Sequence, residues 1–142
     1  MTLSQLIYTS TCTNAMTPKM AYQVSVQSVS VCQQLGLTGR VFANNQQALA
    51  ITEGPSELVR RYYQAVCADV LVETMILHTD RDVSRREFSD YSVWLNLGTP
   101  MTFTGTVRHL SAESLKHAMP ETVSGRIRVM IEAYLKPNLL AA

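Results

Sequence analysis

Tyr8, Cys32 and Asp69 are the side chains of this sequence whose types could do chemistry, so the first question is what surrounds them. A phenol such as Tyr8 is either a redox-active group or a core aromatic, and in the core its hydroxyl needs a partner. Cys32 sits in an apolar context with no activating base beside it, which describes an inert buried thiol. Asp69 follows a helical pattern and either faces a ligand or closes that helix. His78, His109 and His117 do not fall at metal-ligand spacing. Cys12, Cys32 and Cys67 form no CxxC pair, so neither a zinc site nor a disulfide framework is expected. Arg85-Arg86 would bind phosphate or, by default, form a solvated or ion-paired edge. No Ser-His-Asp set, paired-carboxylate signature or glycine-rich phosphate loop with an arginine is evident. No catalytic residue is therefore assigned, and an enzyme of the acyl phosphatase kind is not expected.

The elements that must position these groups follow from periodicity and breakers. Residues 4–9 are apolar and β-branched, a first strand. Thr17-Pro18 opens the next element, where Tyr22, Val24 and Val26 alternate as a strand would, while Met20, Val24, Val31 and Leu35 fit one side of a helix. Gly36 and Gly39 punctuate the turn after it. Strands are expected over 38–44 and 47–52, joined at Asn44-Asn45, and a helix over 55–67 with Leu58, Val59, Tyr62 and Val66 on one stripe. Val70 to His78 and Phe88 to Leu95 read as further strands. The tail carries two helical patterns, 112–118 behind Ser111 and a last helix from Pro120 that Pro137 stops. The order is βαββαβ with one added strand, a ferredoxin-like α+β plan with two C-terminal helices. Residues 1–98 are read as the domain and 99–142 as a helical extension packed on it. Ile127, Met130, Ile131, Tyr134 and Leu135 form an apolar stripe for the open sheet face or a second subunit, which favours a homo-oligomer.

Composition bounds the partners. At 142 residues, 46% hydrophobic and 16% charged, the chain has material for one packed core. A net charge of +1 gives no pull toward nucleic acid or an anionic membrane. No signal peptide or segment approaching ~20 apolar residues is visible, and a cytoplasmic location fits best.

Three segments resemble one known family: Leu6-Ile-Tyr-Thr-Ser10, Gly36-Leu-Thr-Gly39 and Gln47-Ala-Leu-Ala-Ile-Thr-Glu-Gly-Pro55. With Tyr63, Asp69, Arg86 and Phe88 at matching distances, the chain resembles a BLUF domain, the flavin-based blue-light sensor, ungapped to Val93. The resemblance settles the ambiguous element after Pro18 as a helix. It implies FAD held between the two main helices, and a tyrosine and a glutamine paired beside the flavin ring. Tyr8 is the matching tyrosine, and Ser10 and Ser92 also match. Asp69 keeps its place in an Asp-x-Arg-His motif.

The departures fall on the groups that face the flavin. The glutamine position is Ala50, and a methyl group has no donor or acceptor to rearrange. The asparagine expected at the end of the first helix is Val31 and Cys32, and the Arg-His is Leu71-Val72. Tyr91 and Val93 replace the Trp and Met of the last strand, while Trp94 has the opposite strand parity and points away from the pocket. In such a site Cys32 would be either an adduct-forming thiol or inert. The resemblance therefore implies a sensory module acting through self-association or a downstream protein partner, without a normal photocycle. The alternative is an FAD-binding blue-light or redox photoreceptor with an altered flavin site.

Overall fold

Six strands and four helices are seen in the computed structural model, which describes residues 2–98 and 105–138. In chain order they are β1 (Leu3–Cys12), α1 (Pro18–Gln34), β2 (Thr38–Ala43), β3 (Gln47–Pro55), α2 (Ser56–Cys67), β4 (Val72–Val83), β5 (Tyr91–Leu95), β6 (Val107–His109), α3 (Leu115–Ala118) and α4 (Gly125–Asn138). The sheet order is β4-β1-β3-β2-β5-β6. The first four strands are antiparallel neighbours, whereas β5 joins β2, and β6 joins β5, in parallel. This is the ferredoxin-like α+β plan, with two added strands where the sequence reading gave one. The unread strand, β6, is three residues long and follows Gly105, too short to show a period.

Helix α1 resolves the strand-or-helix conflict through its small residues. Its buried positions are Ala21, Ser25, Val29 and Cys32, a spacing of four, four and three that only a helix places on one face. The stripe read from large apolar residues was out of phase, since Met20 and Val31 are exposed. Ser25 returns its hydroxyl to the Ala21 carbonyl at 2.8 Å, so it is buried without an orphan donor. Thr17 caps the helix by accepting from the Met20 N–H. Gly36, at φ 70°, ends it: the Leu37 and Gly36 N–H groups return to the Cys32 and Gln33 carbonyls, as in a Schellman motif.

The strand period of two sorts the sheet into two covered faces. Leu6, Tyr8, Ala50, Tyr91, Val93 and Leu95 pack under α1 and α2. Ile7, Phe42, Leu49, Ile51 and Trp94 pack with the C-terminal segment. Ile127, Ile131 and Leu135 of α4 are buried there, with Met130 and Tyr134 against them. The apolar stripe of the last helix is thus used inside the chain, which removes the reason for assigning it to a second subunit. Helix α3 is a single turn, Leu115–Ala118, rather than 112–118, and ahead of it Ser111 and Ser114 exchange side chain to backbone bonds in both directions. Helix α4 begins at Gly125 rather than at Pro120 and runs to Asn138, one residue past Pro137. The segments 99–104 and 139–142 of the extension lie outside the described residues. Among the described residues no helix is long and apolar enough to cross a membrane.

One buried acid ties the C-terminal face of the sheet to the loop before β5. Glu53, wholly buried, accepts from Gln5 Nε2 at 2.9 Å and from the Glu87 and Phe88 backbone N–H groups at 2.9 Å each. Gln5 Nε2 also donates to Glu87 at 2.7 Å, and the Glu87 carboxylate accepts from Arg81 and from the Ser124 N–H. Burial alone would raise the Glu87 pKa, but these donors and the Arg81 charge outweigh it and hold the carboxyl below its ordinary value.

Two predictions come from this network. Glu53→Ala removes one acceptor of the Gln5 amide and strands two loop N–H groups, so urea unfolding should show a loss of about 3 kcal/mol with an unchanged m-value. A loss under about 1 kcal/mol would mean the loop does not depend on the acid. Because the folded pKa of Glu87 is depressed, its contribution is present above the unfolded value of about 4.3 and is lost as pH falls through the folded one. Denaturation midpoints taken down the acid limb should therefore fall less steeply for Glu87→Gln than for the unaltered chain.

Candidate flavin-type site between α1 and α2

A cavity of about 180 Å³ opens between α1, α2 and the sheet. Strand register builds its floor. Tyr8 is paired directly with Ala50, Ala50 with Val41, Val41 with Val93 and Val93 with Val107, a row crossing five strands. Val93 is a floor residue, as strand parity indicated. Of the sequence-assigned residues, Tyr8, Ser10, Ala50 and Asp69 line the cavity. Asp69 stands at the helix exit, where its Oδ1 accepts from the Leu71 N–H at 2.9 Å, and Leu71 and Val72 form wall beside it.

Three assigned residues lie elsewhere. Val31 is 37% exposed on the outer side of α1, so Cys32 alone holds the inward position. Cys32 is wholly buried and sits behind the cavity wall rather than on it. Ser92 is on the opposite face of β5, where its Oγ accepts from Trp94 Nε1 at 3.0 Å. Residues 91, 93 and 95 face the helices, so residue 92 cannot, and the match that suggested it ignored parity.

Tyr8 has found another partner. Its hydroxyl is 3.3 Å from Thr52 Oγ1, the next residue of β3 on the same face as Ala50. Its ring meets Tyr63 edge-on with centroids 4.9 Å apart. Burial, only partly offset by Thr52, pushes the phenol far above its ordinary pKa. Tyr8 is therefore a neutral, satisfied core group at any ordinary pH.

Tyr62 of α2 was read from sequence only as part of an apolar stripe, yet it lines the cavity from the α2 side. Tyr62 is half-buried near Ser28 and Cys32 of α1, and Cys32 also lies near Tyr91. Burial is the main cause that raises the pKa of all three groups, so phenols and thiol are held protonated. Ser25, Ser28 and Cys32 recur at helical spacing, and that polar stripe was the signal for an inward-facing hydroxyl cluster.

The match to a family model described as sensors of blue light using FAD covers residues 3–94. The chain belongs to the BLUF family. The solved BlrP1 BLUF domain is 18% identical, with a TM-score of 0.64 over 94% of this chain and 90% of that one. The dark-state structure of BlrB, a BLUF protein, is 20% identical with a TM-score of 0.60, covering 91% and 90%. Klebsiella pneumoniae BlrP1 with calcium and cyclic di-GMP gives 20% and 0.65, and this chain spans 34% of it. At these identities the structures show the shared fold. Among curated proteins none matches the chain.

FAD is the cofactor of the BLUF family. An isoalloxazine ring presents carbonyls and an imide N–H along one edge, and the residues of this site do not fit that edge. By the family resemblance, the positions that would meet it carry the Ala50 methyl and the Leu71 and Val72 side chains, with Cys32 set behind the cavity wall. Each polar group left unsatisfied on burial costs about 1–3 kcal/mol, so three amount to two or more decades of affinity, at ~1.4 kcal/mol per decade.

The Tyr8–Thr52 bond is open to a double-mutant cycle. Thr52→Val should destabilise the fold by about 1–2 kcal/mol by orphaning the phenol, and adding Tyr8→Phe should recover part of that loss. Strictly additive effects would show that the two hydroxyls do not interact.

Proposed function

We propose that this chain is a non-enzymatic BLUF signalling module that has lost the flavin photoswitch and acts by self-association or through a partner protein. The observation that carries this reading is the pairing of Tyr8 with Ala50 across the strands, with the Tyr8 hydroxyl turned to Thr52. A switch of the family type needs an amide that exchanges donor and acceptor toward both the phenol and the flavin. Thr52 offers a hydroxyl to the phenol and belongs to the same strand, so the pair is a static strut. The protonated Tyr62, Cys32 and Tyr91 cluster adds no group that titrates near neutrality. A net charge of +1 supports a protein partner over nucleic acid or a membrane.

The test is an absorption spectrum of the protein after incubation with excess FAD and removal of unbound flavin, recorded before and during blue light. The reading predicts no light-induced red shift, whether or not a flavin band is retained. A stable red-shifted state that decays in the dark would contradict it and would favour an altered but working photoreceptor.

A further inference from the structure

We propose that a second pocket, on the back of β5, binds a small molecule through a phosphate group. The pocket has a volume of about 380 Å³ and lies on the C-terminal side of the sheet. Strand register assembles it: Arg40 of β2 pairs with Ser92 of β5, and Trp94 of β5 pairs with Arg108 of β6. Thr106 and His117 complete the polar wall. His117 is brought over the sheet because Arg40 Nε donates to the next carbonyl, that of Ala118, at 2.7 Å.

Arg40 is built into the fold rather than draped on it. Its side chain is 8% exposed, and Nη1 is held by the Gly39 and Asp90 carbonyls and by the Asp90 carboxylate at 2.8 Å. Among the described residues no acceptor takes the Nη2 protons, although this buried guanidinium lines the pocket. Ser92 accepts from the Trp94 indole, so its own proton is left to donate. Arg108 and His117 are exposed and have no partner among the described residues. The single carboxylate of the pocket, Asp90, is spent on Arg40. The pocket therefore holds a surplus of donors and of positive charge reaching inward from three strands and α3. A tetrahedral oxyanion satisfies donors arriving from several directions at once, and guanidinium groups match phosphate oxygens in pairs. The occupant would press on the strand whose other face, through Tyr91, Val93 and Leu95, lines the interhelical cavity.

Trp94 is the sole tryptophan of the sequence, so its fluorescence reports on this pocket alone. Inorganic phosphate and ribose 5-phosphate, titrated at constant ionic strength against chloride, should each give a saturable change in emission, tighter for the sugar phosphate if the remaining volume is used. Arg108→Gln should weaken the response at least tenfold and His117→Gln severalfold, with Arg108→Lys between the unaltered chain and Arg108→Gln. Both positions are exposed, and unchanged thermal melting of each variant would exclude misfolding. The proposal is overturned if neither phosphate gives saturation, if chloride reproduces the change, or if the response survives both Arg108→Gln and His117→Gln.

Discussion

The Glu53 carboxylate is the interaction on which the rest of the arrangement depends. A buried charge is tolerated only when donors surround it, and here they come from β1 and from the loop that leads into β5. That loop sets where β5 lies beside β2, and β5 supplies the floor of one pocket and the wall of the other. Through Glu87 the same network reaches the Ser124 N–H at the start of α4, so the C-terminal cover and the sheet are fixed by one set of bonds.

One residue away, the physics changes. Thr52 faces the other side of the sheet from Glu53 and takes the Tyr8 hydroxyl in place of a glutamine amide. The site has the BLUF fold, with a cavity between two helices and the sheet. Tyr8 meets Thr52, and Ser25 bonds its own helix.

The sequence made the sheet plan legible where one period dominated, as in β1, β3 and α2. It hid what depended on phase or on short segments. Helix α1 buries alanine, serine and cysteine, so a search for large apolar residues put its inner face about a quarter turn out, while Val31 entered as a site residue by resemblance although it lies on the outer side. Ser92 was carried by resemblance although its neighbours Tyr91 and Val93 fix the parity against it. That Tyr62 lies near Ser28 and Cys32 was not legible, because α1 and α2 are far apart in sequence and nothing local pairs residue 28 with residue 62. The pocket behind β5 needed the register of three strands, one of them too short to read.

The account rests on Tyr8 facing Ala50 across the strands with its hydroxyl on Thr52. The most direct measurement is a crystal structure of the protein grown with excess FAD. The account predicts the Tyr8 hydroxyl on Thr52, with or without a ring between α1 and α2, and unchanged when the crystal is lit with blue light. A Tyr8 hydroxyl turned from Thr52 toward a bound isoalloxazine would contradict it.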